Sequence, residues 1–219
     1  MEEQKFPFRE RLSAGWVFLA PLVSLLINLY YQPLPIDDAY ITFRYAENLA
    51  AGHGLVFNPG EPVLGTSTPF FAILLGLLKL GGLSVPNAAR GLGVVGFAGI
   101  ILLIQALARR ELPTLAVFGL GLVLALHPLL CFTANSGMET GLSMLAVYGS
   151  LFLALRARYG LAGAAAGMAF LLRPDGALAA LIVAAVALVR APKKVWRPLL
   201  AEALVVLPWL IYATSTYGS

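Results

Sequence analysis

Charged residues are scarce in this sequence of 219 residues, and cysteine and histidine are almost absent. Only 12% of the residues are Asp, Glu, Lys or Arg, whereas soluble proteins have about 25%. Cys131 is the one cysteine, which excludes an intrachain disulfide and a multi-cysteine metal site. The net charge of +4 is spread over small clusters, so the sequence has no basic face of the kind that binds nucleic acid.

Apolar residues take the place of the missing charge. They make up 59% of the chain, and the mean hydropathy is +0.84. This composition predicts an all-α, multi-pass membrane protein. The apolar runs that we expect to form helices are 14–31, 69–83, 88–108, 115–132, 142–155, 161–172, 177–189 and 199–212.

Small basic clusters separate these runs and predict a topology. The positive-inside rule places all of them in the cytoplasm, so an even number of crossings must join each cluster to the next. Three runs lie between the first two clusters, and the short run 69–83 is interpreted as a helix on the outer membrane surface. The prediction is seven spans, with the N-terminus inside and the C-terminus outside. The clusters are Lys5/Arg9/Arg11, Arg109/Arg110, Arg156/Arg158 and Arg190/Lys193/Lys194/Arg197.

One long polar passage, residues 36–68, interrupts the apolar sequence. It begins with adjacent carboxylates and continues as a segment of helical pattern in which Tyr40, Arg44 and Asn48 share one face. Under the predicted topology the acidic residues near the membrane all lie on the outer side. Ionisable groups at membrane depth usually mark a functional site, so we expect one there. The acidic residues are Asp37, Asp38, Glu139 and Asp175.

Two prolines predict breaks in the later apolar runs. Pro174 should end the helix before it, and Arg173 beside it needs a partner at membrane depth, either Asp175 or a lipid-linked phosphate. Pro128 predicts a kink inside the third span, and His127 is interpreted as a buried core histidine without a chemical role.

The string DDAYITFRYAENLAAGHGLVFNPGEPV resembles the first external loop of a bacterial branch of the GT-C glycosyltransferases, membrane enzymes that use polyprenyl-phosphate-linked sugars. The strings SGMET and LLRPDG resemble the second loop and the following turn of the same branch, which includes mannosyl- and arabinofuranosyltransferases. The resemblance implies one GT-C-like module over residues 1–219 in the inner membrane of the cell envelope, with an external loop at 36–83. Relatives usually continue into further spans or a soluble domain, so a protein partner that supplies this part is also an expectation.

The resemblance also implies roles for individual residues. Asp37 matches the first-loop acidic position and becomes the general base, with Asp38 as the nearest substitute. The alternative role of Asp37 is to cap the following helix. We expect the variant Asp37→Asn to lose transfer and keep its fold. Arg44 contacts the donor phosphate or forms an ion pair with Glu47 or Asp37.

The other candidates bind substrate in this interpretation. Tyr40 and Asn48 hold a sugar hydroxyl, although an interfacial tyrosine such as Tyr40 is more often an anchor. His53 lies between glycines in a loop and is a candidate to bind substrate or a metal. Glu139 matches the second-loop acidic position or caps the fourth span, and Arg173 and Asp175 contact the donor.

Two questions stay open from the sequence. Metal-dependent relatives have a second acidic residue two positions before Glu139, where this chain has Gly137, so a divalent cation at Asp37 and Glu139 is an option rather than a prediction. The chain is either a sugar transferase acting on the outer face or a non-catalytic scaffold or lipid-binding subunit of a larger complex.

Overall fold

The computed structural model describes residues 18–31 and 34–218, and every regular element among them is helical. The helices form a bundle with brief connections, apart from the long loop between the second and third helices. The helices are α1 (Leu19–Tyr30), α2 (Ala39–Ala50), α3 (Pro69–Leu80), α4 (Val85–Ala108), α5 (Thr114–Ala125), α6 (Pro128–Asn135), α7 (Thr140–Leu155), α8 (Tyr159–Leu172), α9 (Ala177–Arg190) and α10 (Trp196–Tyr217), with 3₁₀ turns at Pro174–Gly176 and Pro192–Lys194.

Proline and glycine set several of the helix limits. Pro69 and Pro128 each occupy the first turn of a helix, where a backbone N–H is not needed. Gly81 and Gly82 end α3. Arg173 has an extended backbone because Pro174 follows it, and α8 ends there. The predicted break at Pro174 is confirmed.

Each predicted apolar run of the described chain contains a helix. The match includes the helical segment in the polar passage, which is α2, and the run 69–83, which contains α3. The basic residues Lys5, Arg9 and Arg11 and the start of the first predicted run lie outside the described residues.

The predicted count of seven spans is not supported. Among the described residues, two helical stretches, Val85–Ala108 and Pro192–Tyr217, are long and apolar enough to cross a membrane. A third crossing is added if the bent pair α5 and α6 is one span. The other apolar helices, such as α1 with 12 residues and α8 with 14, fall short of the roughly 20 residues that a bilayer needs.

The bend between α5 and α6 lies where the sequence predicts a kink. The two helices meet at 57° around His127 and Pro128. The interpretation of His127 as a core histidine is wrong, because its side chain is exposed. The break removes it from the regular helix, so it no longer faces the bundle.

The bundle has a polar end and a basic end. Helices α4 and α7 run in the same direction, since Gly96 contacts Gly141 and Gly99 contacts Leu145. Both therefore end at arginines, Arg109 and Arg156, on the same side of the bundle. At the opposite end the Tyr217 hydroxyl, at the end of α10, donates a 2.6 Å hydrogen bond to the Leu55 carbonyl in the polar loop.

Large apolar side chains cover much of the outer surface of the bundle. Leu115 is 81% exposed and Val189 82% exposed, and α10 exposes a row of leucines. Soluble monomeric proteins rarely expose apolar surface of this extent, which is typical of contact with a membrane or another protein. Together with the two or three helices of sufficient length and apolarity, it indicates a membrane protein.

Candidate functional site

A cavity of about 370 Å³ lies at the polar end of the bundle. Four separate parts of the chain form its wall: the start of α2, the last residues of the polar loop, the turn before α7 and the break after α8. A backbone hydrogen bond from Ile36 N to Ser136 O, 3.0 Å long, joins the first part to the third. The lining residues are Asp38, Ile41, Thr42, Gly65, Thr66, Ser67, Thr68, Met138, Glu139, Arg173 and Pro174.

Glu139 is the most deeply buried charged residue of this wall, with 2% of its surface exposed. It precedes α7, and its Oε1 accepts a hydrogen bond from Arg173 Nη1 at 3.1 Å. Its Oε2 is buried without a hydrogen-bond partner among the described residues. Burial raises the pKa of the Glu139 carboxyl, and the charge of Arg173 opposes that rise.

Arg173 contacts two carboxylates at once. Besides Glu139, its Nε donates to Asp175 Oδ1 at 3.2 Å, and about 40% of its side chain remains exposed. Arg173 has an extended backbone before Pro174, and its guanidinium group contacts Glu139 in the turn before α7. The expected partner Asp175 is therefore present, and Glu139 is a second partner that the sequence did not predict.

Three threonine hydroxyl groups form a buried polar cluster in the same wall. Thr68 Oγ1 lies 3.3 Å from Thr42 Oγ1 and 3.2 Å from Thr66 Oγ1. All three side chains are at most 6% exposed. None of these three threonines is among the site residues predicted from the sequence. The signal was the string GTST, which ends the polar passage, together with Thr42, which is four residues after Asp38.

The two adjacent aspartates have different positions. Asp38 directly precedes α2 and lines the cavity. Both aspartates are exposed, and Asp37 is not among the described residues that line the cavity. Asp38 also occupies the capping position of α2, but neither aspartate side chain makes a capping hydrogen bond to the described backbone. The structure therefore places the substitute, rather than the first choice, at the cavity.

Arg44 and Asn48 share one face of α2, and they hold the polar loop. Arg44 Nε donates to the Phe57 carbonyl at 3.2 Å, and Asn48 Nδ2 donates to the Val56 and Phe57 carbonyls at 2.8 and 2.7 Å. Arg44 has no ion pair with the described part of the chain, so the expected pair with Glu47 or Asp37 is absent. These contacts give both side chains a structural function.

Tyr40 and His53 are exposed and are not among the described residues of the cavity wall. Tyr40 packs edge-on against Phe43, with ring centroids 5.4 Å apart. His53 lies between Gly52 and Gly54, which both have positive φ angles. No described contact gives either residue a role in substrate binding.

The residues present do not fit a dedicated divalent-cation site. Among the described residues, no group of three or more His, Cys, Asp or Glu side chains comes together, and the Arg173 cation already occupies Glu139. An acidic residue at position 137 would not fit either. Gly137 has a φ of 82°, and a Cβ atom there would lie 3.0 Å from Phe43 and from Pro35.

A second groove of about 410 Å³ is also lined by Arg173. Arg173 and Asp175 form its polar end. The rest of its wall comes from α7 and α9 and is mainly apolar, with Met144, Leu178 and Ile182 along it. Arg173 therefore lines both the polar cavity and this mainly apolar groove.

Comparison with known proteins adds no assignment, because no family model, no curated protein and no solved structure matches the chain.

Proposed function

We propose that the chain is a GT-C-like enzyme that transfers a sugar from a polyprenyl-phosphate donor to an acceptor at the outer face of the membrane. One observation carries this proposal: Arg173 lines both the polar cavity and the apolar groove. A polyprenyl-phosphate sugar has the same order of parts, an apolar chain, an anionic phosphate and a polar sugar. The polyprenyl group of the donor would lie between α7 and α9, its phosphate at Arg173 and its sugar in the cavity.

The wall residues can support the transfer step. An acceptor hydroxyl oxygen attacks the anomeric carbon, the bond from that carbon to the phosphate oxygen breaks, and polyprenyl phosphate leaves with the bonding electrons. Asp38 accepts the acceptor proton, and Arg173 stabilises the negative charge on the leaving phosphate. Resemblance assigns the base to Asp37, whereas the cavity favours Asp38.

The orientation of the bundle is part of the proposal. The Arg109 and Arg156 ends of α4 and α7 lie on the same side, away from the polar loop. The positive-inside rule then places these arginines in the cytoplasm and the cavity outside. A polyprenyl-linked donor that has reached the outer leaflet would have direct access to the groove.

A donor-consumption assay tests the proposal. Membranes with the full chain receive labelled polyprenyl-phosphate mannose or polyprenyl-phosphate arabinofuranose, and label that leaves the lipid is measured. We expect release with at least one donor and a loss of about 100-fold or more in Asp38→Asn, the range for removing a general base. Asp37→Asn should keep most of the activity if Asp38 is the base.

The control is Glu111→Gln, an exposed carboxylate beyond α4 at the basic end. It should leave donor consumption unchanged. Equal activity in wild type, Asp38→Asn and Asp37→Asn would refute the assignment of the base. A folded wild type that binds polyprenyl phosphate and consumes neither donor would favour the second candidate function.

That second candidate is a non-catalytic lipid-binding subunit. The observation in its favour is that two carboxylates already engage Arg173, which gives the arginine a structural role without a ligand. The two candidates differ in donor turnover, not in lipid binding.

A further inference from the structure

A third groove, about 630 Å³ in volume, lies at the basic end of the bundle. The first turns of α8 and α10 form its two sides. Its lining residues are Ala157, Arg158, Tyr159, Gly160, Leu161, Trp196, Arg197, Leu200, Ala201 and Leu204. It is separate from the candidate catalytic cavity, which lies at the other end of α8.

Two arginines provide the charge of this groove. Arg158 and Arg197 are exposed and line it from opposite sides. Neither guanidinium group forms an ion pair with the described part of the chain, although Arg197 lies 5.6 Å from the centre of the Trp196 ring. No acidic side chain is among the described lining residues. The two guanidinium groups therefore meet no carboxylate among the described residues that line the groove.

The spacing of the two arginines is fixed by close helix packing. Gly163 of α8 lies against Pro198 of α10, and a Cβ atom at position 163 would be 2.5 Å from the Pro198 Cα. Both helices begin at the groove, so their free N–H groups and helix dipoles also favour an anion there. Ala157 has a φ of 57°, and the tight turn that contains it leads directly to Arg158.

The groove changes from polar to apolar along its length. Leu161, Leu200 and Leu204 follow the arginines by one to two helical turns, and all three side chains are more than half exposed. Trp196, 55% exposed, is a residue type enriched at membrane interfaces. A small soluble anion would use only the arginines, whereas a phospholipid would use the whole groove.

We propose that this groove is a specific binding site for one anionic phospholipid. Its phosphate lies between Arg158 and Arg197, and its acyl chains follow the exposed leucines of α8 and α10. Such a lipid would bridge α8 and α10, which pack against each other. Basic pockets between helices on the cytoplasmic side are known to bind anionic headgroups. The proposal is independent of the proposed sugar transfer.

The test is thermal unfolding of the full chain in detergent with added lipid. Phosphatidylglycerol should raise the unfolding midpoint more than phosphatidylcholine, because only the first has a net negative charge. The double variant Arg158→Gln/Arg197→Gln should lower the apparent affinity for phosphatidylglycerol by about tenfold or more, as expected for the loss of two charge-assisted contacts.

The matched control is Lys193→Gln/Lys194→Gln. It removes the same charge from the same end of the bundle, at exposed residues that are not among the described lining of the groove. It should change the affinity by less than about twofold. Equal losses in the two double variants, or equal midpoints with the two lipids, would overturn the proposal. A midpoint shift with inorganic phosphate as large as that with phosphatidylglycerol would also overturn the proposal, because the groove would then bind a simple anion and not a lipid.

A second measurement does not depend on the folding of the variants. Wild-type protein is labelled with a photoreactive phosphatidylglycerol, and the modified peptides are mapped. Labelling concentrated in 157–161 and 196–204 supports the site. Labelling spread evenly over the apolar surface of the bundle contradicts it.

Discussion

Arg173 and Glu139 are 34 residues apart in the chain, and Arg173 Nη1 lies 3.1 Å from Glu139 Oε1. This contact ties the turn before α7 to the break after α8 and thereby closes one side of the polar cavity. Glu139 has 2% exposure, while 40% of the Arg173 side chain remains accessible. The pair is therefore buried on the carboxylate side and open to a ligand on the guanidinium side.

Replacing Arg173 with Gln should destabilise the protein. The change leaves the Glu139 carboxyl buried without its cation, and we expect a loss of about 2–3 kcal/mol, below the upper range for buried pairs because Arg173 is partly exposed. Thermal unfolding of the single variants and of Arg173→Gln/Glu139→Gln measures the coupling. The double variant should be more stable than Arg173→Gln alone. The control Arg109→Gln should have little effect, and additive losses would contradict the pair.

The stability contributed by Glu139 should depend on pH. Burial raises the pKa of the folded-state carboxyl above its ordinary value of 4.5, so the folded state retains a proton that the unfolded state releases. Stability relative to Glu139→Gln should therefore fall as the pH rises from 4.5 through the raised pKa, and then level off. Unfolding midpoints of both proteins from about pH 4 to about pH 8 test this. If the stability of the wild type relative to Glu139→Gln rises with pH, the Glu139 pKa is not raised.

Local sequence features were enough to predict the helices and their breaks. The apolar runs and the prolines at 69, 128 and 174 act within a few residues, and the helix limits follow from them. Arg173 and Asp175 could be paired from sequence for the same reason. The number of membrane spans could not be predicted from sequence, because an apolar run does not show how many of its residues will form one straight helix.

The composition of the cavity wall depends on contacts between distant parts of the chain. Thr42 meets Thr68 across 26 residues, and Glu139 meets Arg173 across 34. Nothing in the local pattern distinguishes Asp38 from Asp37 either, since the direction of each side chain depends on where α2 begins. The resemblance and the shared face of α2 suggest a sugar contact for Asn48, whereas its two carbonyl acceptors come from the returning loop.

Asn48→Asp should open the polar loop. The amide donates to two carbonyls and is 5% exposed, while a carboxylate would present only acceptors to them. We expect a loss of about 2–4 kcal/mol in local stability. Faster hydrogen exchange in residues 52–64 is the measurement, and Glu47→Gln, an exposed change on the same helix, is the control. Unchanged exchange with reduced donor binding would instead indicate that Asn48 is a substrate ligand.

Two glycines of α4 should respond in opposite ways to the same substitution. Gly96 lies against α7, and a Cβ atom there would be 2.5 Å from the Gly141 carbonyl carbon, whereas a Cβ atom at Gly91 would meet nothing within 4 Å. Gly96→Ala must push the two helices apart and should lower stability by about 1–3 kcal/mol. Gly91→Ala only removes backbone freedom from a helix and should raise stability by up to about 1 kcal/mol.

Thermal unfolding of the two alanine variants, with wild type beside them, separates packing from helix propensity. Because the substitution and the helix are the same, any difference between the variants reflects what each position faces. Equal midpoints would mean that α4 and α7 are not in backbone contact. That result would also undermine the parallel direction of these helices, and with it the placement of Arg109 and Arg156 at one end of the bundle.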